Sequence, residues 1–217
     1  MSSPVVLLVG FEPFDTETTN PSMQIARRLD GESIAGRTVV GGILPVTFVD
    51  APIALAELID RRQPELVVAL GQAGGRAEIS LERVAINLID ARIPDNSGLQ
   101  PIDKPVLENG PAACFSTLPI KAMKARLDSL GIPCALSLSA GSFVCNQVFY
   151  WLCHVLGNEY PSVRGGFIHV PWLPEQAERH PGQPAMALAT MVDGIRAAIE
   201  CALLTKSDLH VAGGTTH

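Results

Sequence analysis

Two short apolar runs, each closed by a glycine, constrain this chain more than anything else in it: Val5-Val6-Leu7-Leu8-Val9-Gly10 and Leu66-Val67-Val68-Ala69-Leu70-Gly71. Neither alternates with polar residues, so each strand must meet apolar neighbours on both of its sides. Strands of that kind need helices above and below their sheet, and the intervening segments supply them. Asn20-Pro21-Ser22 opens a helix with Asn as cap and Pro in the first helical position; Met23, Ile25, Ala26 and Leu29 give it an apolar side, and it ends near Gly31. Thr38 to Val46 reads as a strand, and Asp50 to Arg62 as a helix capped by Asp50 with Pro52 in its first turn. Ile79 to Asp90 reads as one further strand. After an irregular stretch from Ile93 to Pro119, the pattern predicts helix 120–130, strand 134–139, helix 143–156, strand 165–170 and helix 185–204. Strands alternating with helices imply an α/β fold with a mostly parallel sheet covered on both faces.

The 217 residues, 47% of them apolar and 18% charged, suit one domain, expected over 1–204, with a Gly- and Thr-rich tail over 205–217 expected to be frayed. This composition excludes intrinsic disorder, and no apolar run approaches the ~18–20 residues of a membrane span. Sixteen Lys and Arg against 22 Asp and Glu leave a formal charge of −6 with no basic cluster, so neither nucleic acid nor an anionic membrane is expected as a partner. The apolar excess also suggests surface left for a subunit interface. Five cysteines, at 114, 134, 145, 153 and 201, form an odd set without a C-x-x-C pair. Met1-Ser2-Ser3-Pro4 lacks the charged start and the cleavage site of a signal peptide. A reduced, cytoplasmic protein with free thiols is the expectation.

In open α/β sheets ligands sit beyond the carboxyl ends of strands, which directs attention to four segments. These are Gly10–Phe14, Gly71–Gly75, Ala140–Cys145 and His169–Pro171. Cys145 falls in the first turn of a helix, where free N–H groups and the helix dipole favour a thiolate, so it is a candidate nucleophile with a lowered pKa. It also shares a stripe with Phe149, Leu152 and Leu156, and the same pattern suits a thiol packed in the core. His169 ends a strand before Pro171; it is either a catalytic base or a residue holding a loop. His154 lies nine residues beyond Cys145 on the same helix, about 13 Å away, too far to take its proton. Glu82 interrupts an apolar stretch, either on a surface-facing side of its strand or as the acid orienting an imidazole. No Cys/His cluster has metal-ligand spacing, and the Gly-rich segment 71–75 lacks both the Walker lysine and the dinucleotide glycine spacing, so neither a metal nor a cofactor is expected.

An ordered set of motifs then becomes specific. Gly10-Phe11-Glu12-Pro13-Phe14, Asn20-Pro21-Ser22, Glu82-Arg83-Val84-Ala85-Ile86-Asn87, Ala91-Arg92-Ile93-Pro94-Asp95-Asn96, Asn109-Gly110-Pro111-Ala112-Ala113, Val144-Cys145-Asn146 and Phe167-Ile168-His169-Val170-Pro171 occur in sequence. Together they closely resemble the pyroglutamyl peptidase I (pyrrolidone-carboxylate peptidase) family of cysteine peptidases, over residues 4 to 203.

The resemblance implies a three-layer α/β/α sandwich, a Glu–Cys–His triad at Glu82, Cys145 and His169, and a homo-oligomer, often a tetramer. It implies a lactam pocket at Phe11, Phe14, Thr47, Ile93, Phe143 and Val144, a polar substrate contact at Gln72, and an oxyanion site from Arg92 with the Cys145 N–H. The implied reaction is hydrolysis of the amide after an N-terminal pyroglutamyl residue of peptides, without a cofactor. Two departures stand out: Asp15-Thr16 where the family is glycine-rich, and Trp172 where tyrosine is more usual. A thiol amidase for another small acyl group, or a non-catalytic α/β ligand-binding domain, are the alternative readings.

Overall fold

The structure, a computed structural model, describes residues 4–214; Met1–Ser3 and Thr215–His217, parts of the N-terminal and tail segments read above, lie outside the described residues. Along the chain run β1 (Val5–Phe11), α1 (Pro21–Leu29), β2 (Ser33–Ile34), β3 (Arg37–Leu44), α2 (Asp50–Arg62), β4 (Leu66–Gln72), β5 (Ile79–Glu82) and β6 (Val84–Ile86). They are followed by β7 (Ala113–Phe115), α3 (Ile120–Ser129), β8 (Cys134–Ser137), α4 (Val144–Asn158), β9 (Arg164–Val170), α5 (Pro174–Ala177) and α6 (Leu188–Leu204). Seven strands form one sheet in the order β2-β3-β1-β4-β9-β5-β8, and β6 pairs with β7 in a separate hairpin-like ladder.

The two-sided burial expected of β1 and β4 is met residue by residue. Val6, Leu8, Val68 and Leu70 point into a core shared with α1, α3 and α6, while Leu7, Val9, Val67 and Ala69 point into a second core shared with α2 and α4. Each of these side chains is fully buried, contributing about 1.5–3 kcal/mol for the larger ones. The result is helix, sheet, helix. No helix among the described residues is long and apolar enough to cross a membrane.

Close contact between β1 and α1 explains Gly10: a Cβ there would lie 2.2 Å from the Ser22 carbonyl oxygen. Asn20 caps α1 as read, accepting from the Ser22 N–H at 3.0 Å, and the Ser22 hydroxyl accepts from the Phe11 N–H at 3.0 Å, tying the helix start to the strand end.

Several elements differ from expectation. Ile79–Asp90 is not one strand: it breaks at Arg83, leaving β5 in the main sheet and β6 paired antiparallel with β7. β5 runs parallel to β8 but antiparallel to β9, and the short edge strand β2 is antiparallel to β3, so the sheet is mostly parallel with reversed strands at both edges. Asp50 is not the cap of α2; the Asp50 N–H instead donates to the Thr47 hydroxyl at 3.1 Å. Residues 205–214 of the tail are mostly exposed and touch the domain at a few points. Asp208 accepts from the N–H groups of Lys121 and Ala122 at 3.1 and 2.9 Å, capping α3 where Pro119 offers no side-chain cap. Gly213 lies against Leu136 of the edge strand β8.

Candidate active site

Sheet register brings the candidate residues together. His169 in β9 is level with Gly71 in β4 on one side and with Ser80 in β5 on the other. Because side chains alternate, His169 and Phe167 face the α2/α4 layer, as does Glu82, two residues beyond Ser80. Cross-strand diagonal neighbours of this kind are within side-chain reach. His169 Nδ1 lies 2.8 Å from Glu82 Oε1, with Glu82 fully buried and His169 4% exposed. The surface-facing reading of Glu82 is therefore excluded.

Cys145, in the first turn of α4, hangs over the same row. A Cβ at Gly71 would lie 2.8 Å from Cys145 Sγ, so the absence of a side chain at 71 is what gives the thiol its seat. Cys145 and His169 line one cavity of about 360 Å³, within the usual range for small-ligand sites. The first helical bond of α4 is Gln147 N–H to the Phe143 carbonyl, and Phe143 provides no side-chain cap. Among the described residues no backbone carbonyl accepts from the Cys145 N–H, which points toward its own thiol and the cavity side of the helix start.

Burial raises the pKa of the Glu82 carboxyl. It is outweighed by the hydrogen bond and charge of His169, the Ser137 hydroxyl and the charge of Arg76, which together hold the group below the ordinary value. An ionised Glu82 only accepts, so Nδ1 of His169 donates to it and Nε2 is left for the cavity. The thiol behaves differently from the sequence expectation. Burial, and next the Glu82 charge, push Cys145 up to about 12, against the pull of Arg76 and its own backbone N–H. Desolvation outweighs the partial charge of the helix end, so the resting thiol keeps its proton.

Of the expected lactam-pocket residues, Phe14, Ile93 and Phe143 line the cavity, as do Gln72 and Arg92. Phe11 and Val144 lie behind, on an adjoining recess of about 10 Å³ that holds no more than a water. Thr47 reaches neither cavity nor recess; it is buried and its hydroxyl donates to Asp50 Oδ2 at 2.9 Å. The Arg92 side chain is exposed and makes no hydrogen bond or ion pair among the described residues. Trp172 stacks on His180 with ring centres 4.0 Å apart. His154 stacks on Tyr150, well removed from the row.

Sequence reasoning missed the residues that hold this arrangement. Arg76 donates to Glu82 Oε1 at 2.7 Å and to the Ser139 carbonyl at 2.9 Å, joining the acid to the loop before α4. Its one signal was a cation closing the Gly-rich turn after β4. Asn146, fully buried, accepts from the Ile86 N–H at 3.0 Å and donates to the Ile86 and Leu88 carbonyls at 2.9 Å. Asp95 accepts from the N–H groups of Phe48, Ser97 and Leu99 at 2.8 to 2.9 Å, fixing both loops that carry the apolar wall. Asp90, also missed, brings a carboxylate to the cavity rim.

A larger cavity, about 530 Å³, lies between α3, β8 and residues 211–214, and is lined by the Lys124–Asp128 ion pair and Cys134, whose thiol burial pushes up to about 12. It holds no nucleophile beside a base. Among the described residues no three His, Cys, Asp or Glu side chains gather to hold a metal ion.

Comparison with known proteins identifies the family. A curated relative from Cupriavidus taiwanensis, called pyrrolidone-carboxylate peptidase, is 55% identical over 216 residues, 99% of this chain and 100% of its own length. One of the same name from Klebsiella pneumoniae is 55% identical over 212 residues, covering 98% of this chain and 99% of that protein. Among solved structures, pyroglutamyl peptidase I from Bacillus amyloliquefaciens superposes with a TM-score of 0.94 at 40% identity, over 98% of this chain and 100% of that one. A mutant pyrrolidone carboxyl peptidase from the hyperthermophile Pyrococcus furiosus gives 0.89 at 41% identity, over 92% of this chain and 98% of that one. The family model described as pyroglutamyl peptidase matches residues 5–205, and the chain belongs to that family.

Proposed function

We propose that this protein is a cysteine peptidase that hydrolyses the amide bond after an N-terminal pyroglutamyl residue, with Cys145 as nucleophile, His169 as acid and base, and Glu82 as the orienting acid. The observation that carries this reading is a buried carboxylate–imidazole pair, 2.8 Å apart, whose imidazole shares a cavity with a helix-terminal thiol. With a thiol pushed up to about 12, attack is coupled to transfer of the Cys145 proton to His169 Nε2. The sulfur bonds to the acyl carbon, and the imidazolium then protonates the departing amine. Water, giving its proton to His169, cleaves the thioester and restores the thiol. Glu82 holds the imidazole in its productive tautomer and stabilises its charge. The Cys145 N–H and Arg92 receive the oxyanion; one such donor is worth about 3–4 kcal/mol.

The lactam ring lies against Phe14, Ile93 and Phe143, with Phe11 and Val144 backing that wall and Gln72 at its polar edge. Thr47 acts from behind, through the turn that carries Phe48, whose ring meets Phe143 edge-on at 5.2 Å. A prolyl substrate would bring an ammonium to a cavity bearing two guanidinium groups, Arg76 and Arg92, against the single carboxylate of Asp90. A pyroglutamyl amide reporter tests the reading. Wild-type protein cleaves it and leaves the prolyl reporter essentially untouched. Cys145→Ala and His169→Ala abolish turnover with unchanged circular dichroism, and Glu82→Gln retains somewhat more. Equal kcat/KM for the two reporters overturns the pocket assignment, and turnover by Cys145→Ala overturns the nucleophile.

The same reading makes peptides beginning with pyroglutamate the substrates, the cytoplasm the compartment and a homotetramer the assembly. Five free cysteines suit a reducing compartment, and exposed Phe115 and Leu138, at 63% and 52%, suit a subunit contact. Light scattering that returns a monomer at micromolar concentration overturns the assembly.

A further inference from the structure

We infer that Gln176 is a positioning residue for specificity: it turns the Gln72 amide so that an N–H, not a carbonyl oxygen, meets the ring carbonyl of the substrate. Gln176 is fully buried in α5, outside the cavity. Its Oε1 accepts from the Leu173 N–H at 3.1 Å, and its Nε2 faces Glu17 Oε2 at 2.8 Å, Gln72 Oε1 at 2.9 Å and the Thr19 carbonyl at 3.3 Å.

The two ends of an amide have nearly the same shape, so the partners decide which is which. Here they leave no choice. A backbone N–H can only donate and the Thr19 carbonyl can only accept. Glu17 is itself ionised and fixed: Arg179 donates to Oε2, and His180 Nε2 lies 3.0 Å from Oε1. Gln176 must therefore present its NH2 to Gln72, which must answer with Oε1. The Gln72 NH2 has no acceptor among the described residues, and the side chain lines both the cavity and the recess beside Phe14, Phe143 and Cys145. The substrate-facing end of Gln72 is thus a donor set by a relay that begins at Glu17.

Given the proposed reaction, this polarity suits one ring. A pyroglutamyl carbonyl accepts the hydrogen bond, whereas a prolyl ring has no oxygen there and leaves the donor unpaired. Sites built around such a bond reject analogues that cannot make it. An unconstrained glutamine would offer either end and lose part of that selectivity.

The test reverses the relay while keeping its parts. In the double variant Glu17→Gln/Gln176→Glu, the carboxylate moves to 176, still accepts from the Leu173 N–H, and draws the Gln72 NH2 toward itself. The Gln72 carbonyl then faces the ring carbonyl. Two contacts are sacrificed: the long one to the Thr19 carbonyl, and the Arg179 hydrogen bond to the Oε2 position of residue 17, while residue 17 keeps its Oε1 for His180. We expect kcat/KM for the pyroglutamyl reporter to fall about 100-fold, carried in KM, with kcat within about threefold. Alkylation of Cys145 by iodoacetamide keeps its rate. Gln176→Met, which frees Gln72 without reversing it, loses about tenfold, again in KM. The inference fails if the double variant keeps wild-type KM. It also fails if kcat and alkylation collapse with KM, since Gln176 would then merely support the fold. Failure of the wild-type protein to cleave the reporter would instead overturn the proposed function.

Discussion

Replacing Gly71 by alanine adds one methyl group where the structure leaves no room for it. The new Cβ would lie 2.8 Å from Cys145 Sγ, 2.8 Å from Phe167 Cζ and 2.9 Å from Phe167 Cε1. Non-bonded carbon contacts settle at about 3.5–4.0 Å, so something must retreat by about 1 Å. Phe167 cannot: it is fully buried, with Phe149 and His169 rings at 5.8 and 4.8 Å. The sulfur, at the tip of a rotatable side chain on a cavity wall, gives on its side, and the contact with the Phe167 ring is relieved by a shift of the β4 backbone at 71. A shift of about 1 Å away from the histidine row costs about 100-fold in rate, or about 2.7 kcal/mol of barrier. Stability should fall by about 1–3 kcal/mol through overpacking. Steady-state turnover of the pyroglutamyl reporter reads the first effect and urea unfolding the second. A Gly71→Ala protein with kcat within twofold of wild type would refute both the seat of the thiol and its role.

Three other outcomes follow from the same geometry. Iodoacetamide modifies Cys145 before the other four thiols, and the His169→Ala variant removes that advantage; peptide mapping that finds the same Cys145 rate in both proteins contradicts the coupled proton transfer. The charge of Arg76 pulls down both the Cys145 thiol and the Glu82 carboxyl, so Arg76→Met raises both, and the acid limb of the kcat/KM profile moves to higher pH; an unmoved limb with uniformly lower activity would mean that Arg76 only braces the loop at Ser139. Removing the α3 cap in Asp208→Ala costs about 1 kcal/mol in urea unfolding with kcat unchanged; no change in the midpoint would show the cap to be idle.

Much of the fold was legible because burial on two faces writes itself as uninterrupted apolar runs, and β1, β4, α1, α2 and α6 lie within a few residues of where periodicity predicts them. Direction was not legible. Ile79–Ile86 alternates equally well whichever way its neighbour runs, and the break at Arg83 reflects pairing with Ala113–Phe115, far along the chain. The site divides in the same way. Cys145, His169 and Glu82 stood out because each is chemically out of place in its segment, and the family motifs marked them together. Arg76, Asn146, Asp95 and Gln176 did not. Their roles rest on hydrogen bonds to residues distant in sequence, and a polar residue in a loop carries no local sign of such a partner. The thiol is the instructive case: local position pointed to a lowered pKa, while the three-dimensional surroundings raise it.

The α3 cap has a bearing on how the chain is made. The carboxylate that closes the start of α3 lies 87 residues after Lys121 in sequence. Translation delivers the N-terminal part first, so the helix emerges long before its cap does. The same late segment brings Gly213 against the Leu136 side chain and the Lys121 stem, so the contact between the tail and the α3/β8 face also forms late. The start of α3 is therefore closed only when residues 205–214 have left the ribosome and latch onto a domain already assembled.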